Sequence, residues 1–251
     1  PICYDVPQNW LTLGNGSNDI LELVAMAVLE TLPKVEGGTI TGLASPKKLW
    51  EAVRVEAVRR MAERVDWPCE LNTRFLSENQ GCGRGVSSAI DWFLREAGEG
   101  VILEDDCLPT DEFFPYAAAM LERYRYDSRV GLISGSNMAP EVEMPFDHGF
   151  SQIASTWGWA TWRRTWDGYS LTPAMVSEDE DWASFFAGRA FRTVRRSFER
   201  IHKGDAHTWD YQLLVQLLRS RQLTVVPRLN MILNIGFQGG GTHFSVAGRP
   251  W

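Results

Sequence analysis

The sequence lacks any long apolar run, and this absence sets the first limit on the class of protein. Although 44% of its 251 residues are hydrophobic, no stretch of about 18 or more is continuously apolar, so we expect neither a transmembrane helix nor a signal peptide. The sequence therefore predicts a cytoplasmic protein, either free or peripheral to a membrane. The chain is long enough to bury a sizeable core, and we expect one domain over residues 1–251.

Cysteine is scarce, and its spacing excludes the common zinc modules. The four cysteines show no Cys-x-x-Cys pair and have no histidines at zinc-finger distances: Cys3, Cys69, Cys82 and Cys107. In a chain without secretory signals we expect reduced thiols. A disulfide between Cys69 and Cys82 stays open as an alternative.

An excess of basic residues is also missing, which excludes a surface that is basic throughout. The net charge is -7, so a polyanionic partner would have to meet a local patch. Residues 188–203 form such a patch, because they contain six basic residues and only one acidic residue, Glu199. The basic residues are Arg189, Arg192, Arg195, Arg196, Arg200 and Lys203. At helical spacing most of them share one face, opposite Phe191, Val194, Phe198 and Ile201. The face is either solvated surface or a site for an anionic partner.

Hydrophobic periodicity predicts an α/β domain with a mostly parallel central sheet flanked by helices. In the first half, short β-type runs alternate with amphipathic helical windows. The predicted strands are residues 2–6, 39–42, 70–76 and 100–103, and the helices between them are residues 19–32, 47–65 and 86–97. A helix over 111–126, a strand over 130–134 and helices near 182–188, 189–202 and 209–220 follow.

Three consecutive acids end the apolar run at residues 101–103: Glu104, Asp105 and Asp106. Ligands of open α/β sheets bind beyond the carboxyl ends of such strands. Carboxylates that converge there repel one another unless a cation lies between them, and Mg²⁺ or Mn²⁺ takes oxygen ligands. The alternative is a solvated turn before the next helix.

A glycine-rich segment, residues 78–85, follows a predicted strand and opens a predicted helix, which favours a phosphate-binding turn. It contains no Gly-Lys-Ser/Thr, as a P-loop requires, and Val86 stands where a dinucleotide-binding loop needs glycine. Because Glu104 follows about 20 residues later, a nicotinamide site stays a rival. An ordinary strand-to-helix turn is the other alternative.

Three further features admit two interpretations each. The tryptophan-rich stretch 157–166 is either packing or a flat platform for a sugar ring. Asp210, at the start of a helical window, is either a helix cap or a general base. His243, after three glycines, is either a surface residue or a metal ligand on a loop.

Taken in order, eight segments resemble nucleotide-sugar glycosyltransferases of the GT-A fold, in particular a bacterial and phage-type subgroup. The resemblance covers residues 66–243. The segments are Trp67-Pro-Cys, Asn79-Gln-Gly-Cys, Ile90-Asp-Trp, Ile102-Leu-Glu-Asp-Asp-Cys-Leu-Pro, Ile133-Ser-Gly-Ser-Asn, Trp157-Gly-Trp-Ala-Thr-Trp-Arg-Arg, Thr208-Trp-Asp-Tyr-Gln, and Asn234-Ile-Gly-Phe with Thr242-His243.

The resemblance implies roles for individual residues. Residues 1–106 would form the donor half of a single GT-A domain and residues 107–251 the acceptor half. Asp106 and His243 would bind Mn²⁺ or Mg²⁺, Asp105 would contact the ribose or share the metal, and Asp210 would be the general base. The remaining donor contacts would be Asn79, Gly81, Arg84, Glu104, Gly158 and Trp159, and the acceptor contacts Trp157, Trp162 and Arg163. The basic face of residues 188–203 adds Arg192 and Arg196 as predicted acceptor contacts.

The implied function is metal-dependent, inverting transfer of a sugar from a nucleotide-diphosphate sugar to an acceptor hydroxyl. The basic face of residues 188–203 suggests an anionic acceptor, such as a lipid phosphate, a phosphorylated glycan or DNA with hydroxymethylated bases. One rival is a nucleotidyltransferase that makes sugar nucleotides, although we find no N-terminal glycine-rich loop followed by Arg and Lys. The other is a binding module without catalysis.

Overall fold

The structure, a computed structural model, describes residues 60, 71–76, 78–104, 106–175, 189–203 and 207–235. Its helices are α1 (Gly81–Ala97), α2 (Phe113–Tyr124), α3 (Arg163–Trp166), α4 (Arg189–His202) and α5 (Asp210–Arg219). Its strands are β1 (Glu99–Ile102), β2 (Cys107–Pro109), β3 (Val130–Ser134), β4 (His148–Ser151), β5 (Trp159–Trp162), β6 (Leu223–Pro227) and β7 (Ile232–Asn234). The chain is therefore mixed α/β, as the sequence predicts.

The main sheet has five strands in the order β1-β5-β3-β6-β4, and β2 pairs with β7 in a separate ribbon. Within the described residues only β3 and β6 pair in parallel, so the prediction of a mostly parallel sheet is wrong there. The antiparallel pairs come from β5, which lies between β1 and β3, and from the edge strand β4, which pairs with β6. All residues of β5 are buried, and a strand buried on both faces carries no side-chain pattern that indicates its direction.

Several predicted elements match the structure closely, and one does not. The strand at 130–134 and the helix at 189–202 have the predicted bounds, and the helix at 86–97 begins earlier, at Gly81. Residues 71–76, part of a predicted strand, form no strand and are mostly exposed. The strands predicted at 2–6 and 39–42 and the helices predicted at 19–32, 47–65 and 182–188 lie outside the described residues.

The sheet has a hydrophobic core on each face, because successive strand residues point to opposite sides. On β1, Val101 packs into the core that α2 covers, whereas Ile102 packs into the core beneath α1 and α5. On β3, Ile133 and Leu132 divide between the two cores in the same way. The result is a three-layer arrangement of helices on both faces of a central sheet.

No helix within the described ranges is long and apolar enough to cross a bilayer.

Candidate functional site

The acidic triplet lies in the connection between the main sheet and the β2–β7 ribbon. β1 ends at Ile102, and the Cys107 amide donates a hydrogen bond to the Glu104 carbonyl at 3.1 Å, which closes a tight turn. Glu104 and Asp106 are half-buried, and Asp105 lies outside the described residues. Glu104 and Asp106 therefore stand at the carboxyl end of β1, where the sequence places the triplet.

The Cys107 thiol lies in the electrostatic field of the carboxylates in this turn. Its pKa is raised, chiefly by burial and then by the negative charges of Asp106 and Glu104. The thiol also donates to the Asp106 Oδ1 atom at 3.4 Å. The two carboxylates thus concentrate negative potential on a half-buried turn, and such a set of oxygen donors suits a hard divalent cation.

The described residues alone do not complete a metal site. Among them, no three His, Cys, Asp or Glu side chains form a group that could hold a metal ion. Asp105 and His243, two of the predicted ligands, belong to parts of the chain that the structure does not describe. The end of β7 passes the acidic turn, because the Ile235 amide donates to the Asp106 carbonyl at 2.8 Å.

Gly158 is required by packing at the same end of the sheet. Its φ of +59° falls in the left-handed region, and a Cβ atom there would lie 2.3 Å from Cδ1 of Ile232 and 3.2 Å from Cδ2 of Leu103. Its carbonyl accepts a hydrogen bond from the Gly135 amide at 2.8 Å. The contact between β5, the ribbon and the end of β1 therefore accounts for glycine at this position without a ligand.

Trp159 belongs to the core. Its side chain is fully buried, and its indole stacks on that of Trp209 with 5.7 Å between ring centroids and 21° between ring planes. Trp159 also pairs with Ile102, the last residue of β1. No face of this indole is open to a sugar nucleotide, but the stack ties the end of β1 to the start of α5.

Asp210 begins α5 without capping it. The N-cap position is held by Trp209, which makes no side-chain capping bond. The half-buried Asp210 carboxylate instead accepts a hydrogen bond at Oδ1 from the Thr208 hydroxyl. The helix-cap interpretation therefore does not describe what this side chain does among the described residues.

The first turn of α1 packs against the same segment. The Asn79 Oδ1 atom accepts the Gly81 amide at 2.7 Å, and Gly81 has a φ of +73°. A Cβ atom on Gly83 would lie 3.0 Å from the Thr208 carbonyl oxygen, so glycine permits this close approach. Asn79 and Arg84 are exposed beside it. The structure thus brings the predicted phosphate-binding turn to Thr208, two residues before Asp210.

Tyr169 is a member of this region that sequence reasoning missed. Its hydroxyl donates to the Trp209 carbonyl at 3.1 Å, and its ring stacks on Trp166 with 4.1 Å between centroids. Burial, and then the charge of Asp210, raises the pKa of the Tyr169 hydroxyl. Nothing local marks this tyrosine, because the contact joins residues 40 positions apart.

Trp162 and Arg163 lie at the other end of β1. Trp162 pairs with Glu99, the first residue of that strand, and its side chain is 3% exposed. The Arg164 guanidinium covers its ring at 4.2 Å from the centroid. Arg163 forms an ion pair with Asp167 at 3.4 Å. The structure therefore separates both predicted acceptor contacts from the acidic turn.

The other predicted acceptor contacts lie in two places. Trp157 is half-buried next to Gly158, and its carbonyl accepts the Ser136 hydroxyl at 2.9 Å. Arg192 and Arg196 are exposed on α4, whereas Phe198 on the same helix is fully buried. The amphipathic character of α4 is thus confirmed for these side chains, and a role in acceptor binding stays a prediction.

The polar residues of the Ile133-Ser-Gly-Ser-Asn137 motif are structural. Ser134, Ser136 and Asn137 are 0%, 2% and 7% exposed. The Asn137 side chain donates to the Arg228 carbonyl at 2.9 Å, and its backbone amide donates to the Asn230 side chain at 3.1 Å. This motif fixes the loops beyond β3 and β6 rather than presenting groups to a ligand.

Comparison with known proteins leaves this site unassigned, since neither a scan against protein-family models nor a search of the curated proteins gives a match. A functional conclusion must therefore depend on the residues and contacts described above.

Proposed function

We propose that this protein is a metal-dependent glycosyltransferase of the GT-A fold, which moves a sugar from a nucleoside-diphosphate sugar to an acceptor hydroxyl. The main support is the convergence of three segments at the carboxyl end of β1. The acidic turn continues from Ile102, Trp159 pairs with Ile102, and Trp209 beside Asp210 stacks on Trp159. The first turn of α1 packs on the same segment through Gly83.

The acidic turn supplies the chemistry that a diphosphate donor needs. Glu104 and Asp106 present carboxylate oxygens on a half-buried turn, and their charges raise the pKa of Cys107. These are hard ligands of the kind that Mg²⁺ and Mn²⁺ share with phosphates. When bound, a divalent cation stabilises the negative charge that develops on the leaving diphosphate. Asp105 and His243 would contribute further ligands.

Asp210 provides the second chemical group that the reaction needs. As a carboxylate it can remove the proton from the acceptor hydroxyl while that oxygen attacks the anomeric carbon. Direct attack opposite the leaving diphosphate inverts the configuration of that carbon. Asp210 is half-buried and is not used as a helix cap. The carboxylate also lies in the first turn of α5, where negative charge stabilises the helix dipole.

The proposed acceptor contacts are the exposed arginines of α4 and Trp157. Arg192 and Arg196 are exposed on α4 in a chain of net charge -7. Arginine pairs well with phosphate groups, so an acceptor that carries phosphate is part of this proposal. Trp157, beside Gly158, is the aromatic residue of the tryptophan-rich stretch that we retain as an acceptor contact. The cytoplasmic location is likewise a prediction.

The test is turnover of sugar nucleotides by the purified protein. Wild-type protein is incubated with UDP-glucose, UDP-galactose, UDP-N-acetylglucosamine and GDP-mannose, and release of the nucleoside diphosphate is followed with Mn²⁺, with Mg²⁺ and with EDTA. We expect release with at least one donor in Mn²⁺ or Mg²⁺, its loss in EDTA, and a fall of about 10²-fold or more in Asp210→Asn.

The matched control is Asp147→Asn, which makes the same chemical change at a carboxylate that is 94% exposed and remote from the turn in sequence. Its turnover should equal that of the wild type. A protein that binds these donors without turning any of them over would be a binding module. Activity that persists in EDTA would contradict the metal-dependent mechanism.

A further inference from the structure

Three side chains fix the short segment that presents Asp210. The Thr208 hydroxyl donates to the Asp210 Oδ1 atom, and the Tyr169 hydroxyl donates to the Trp209 carbonyl at 3.1 Å. The Gln212 side-chain amide donates to the Thr208 carbonyl at 2.7 Å. The carboxylate and both peptide carbonyls that precede Asp210 are therefore hydrogen-bonded.

The groups that make these bonds are themselves held by the core. The Tyr169 ring lies almost parallel to the buried Trp166 indole, at 8° between planes. Trp209 is 2% exposed and stacks on Trp159, and Gln212 is 1% exposed. Because buried side chains occupy single well-packed positions, the segment has little freedom to move.

We propose that Thr208 and Tyr169 are positioning residues for Asp210, and that Thr208 occupies Oδ1 so that Oδ2 accepts the proton of the acceptor hydroxyl. This inference rests on the function proposed above. The acceptor O–H bond breaks and its proton goes to Oδ2, while the acceptor oxygen forms a bond to the anomeric carbon. The bond from that carbon to the diphosphate oxygen breaks, and its electron pair leaves with the diphosphate.

Thr208 offers a matched pair of variants. Thr208→Val keeps the shape of the side chain but removes the hydroxyl donor, whereas Thr208→Ser keeps the donor. With the most active of the four sugar nucleotides, we expect Thr208→Val to lower kcat about 10-fold or more with little change in KM for the donor. Thr208→Ser should restore kcat.

Tyr169→Phe keeps the ring stack and removes the bond to the Trp209 carbonyl, together with the side-chain hydrogen bond to Ser87. We expect a fall in kcat without a matching rise in KM, and no effect from Tyr126→Phe, since Tyr126 is 92% exposed. A purely structural role would instead lower the melting temperature and leave the kcat of the folded enzyme unchanged.

Wild-type kcat in Thr208→Val beside an inactive Asp210→Asn would overturn this inference alone. An active Asp210→Asn would instead overturn the proposed function.

Discussion

The indole rings of Trp159 and Trp209 stack 5.7 Å apart in the core that lies beneath α1 and α5. This contact joins β5 to the residue just before Asp210, so it links the stability of the fold to the geometry of the site. Replacement of Trp159 by Ala should lower the free energy of unfolding by about 3–5 kcal/mol, because a buried aromatic ring is lost and a cavity remains. Urea denaturation measures this change. Tyr126→Ala, at a side chain that is 92% exposed, is the control, and equal costs for the two variants would show that the stack contributes little.

Alanine substitutions at Gly158 and Gly81 distinguish the stability cost of backbone strain from that of a packing clash. Both have positive φ, at +59° and +73°, but only a Cβ atom on Gly158 would meet neighbouring atoms. Gly81→Ala should therefore cost about 1–2 kcal/mol from the left-handed backbone alone. Gly158→Ala should cost about 1–3 kcal/mol more, because Ile232 must move. Thermal unfolding of both variants tests the difference, and a smaller loss in Gly158→Ala would show that the ribbon adjusts freely.

Asp106→Asn tests the metal site without a catalytic assay. A cation that binds only the folded protein raises its stability by mass action, by about 2.7 kcal/mol when its concentration is 100 times Kd. We expect Mn²⁺ to raise the melting temperature of the wild type and of Asp147→Asn, and to have little effect on Asp106→Asn. An Mn²⁺-dependent rise that survives in Asp106→Asn would place any bound metal elsewhere.

Asp127 should contribute to the loss of stability in acid. Hydrogen bonds from Arg129, at 2.9 and 2.7 Å to the side chain, lower the pKa of Asp127 from 3.8 to about 2. Because the folded-state pKa is below the unfolded value, the contribution is present above that unfolded value and is lost as the pH falls towards the folded-state pKa. The stability of Asp127→Asn should therefore fall less steeply than that of the wild type between pH values of about 5 and 2. Urea midpoints across this range check the slopes, and parallel slopes would exclude a role for the pair.

Local pattern was enough to predict several elements. Apolar residues at helical spacing gave α2, α4 and α5 to within a few positions, and the continuous apolar run at 130–134 gave β3. The run before Glu104 likewise predicted a buried strand that ends at an acidic turn. These features depend on residues that are close in the chain, so the sequence displays them directly.

Strand direction, by contrast, was decided by the tertiary structure. β5 is buried on both faces and reads as a packed tryptophan cluster, and its antiparallel insertion between β1 and β3 depends on pairing with distant residues. The same pairing places the two tryptophans of β5 at opposite ends of β1. Trp159 lies at the carboxyl end of β1, next to the site, whereas Trp162 lies at the opposite end.

The sequence by itself determined which residues are available for chemistry, namely the acids after β1, the glycines before α1 and the lone Asp210. Only the tertiary structure brought the α1 turn to Thr208 and placed the Tyr169 hydroxyl on the Trp209 carbonyl. The physical reason is that residue type and local periodicity follow from covalent neighbours. Contacts across 40 or more positions depend instead on how the sheet and its two cores pack.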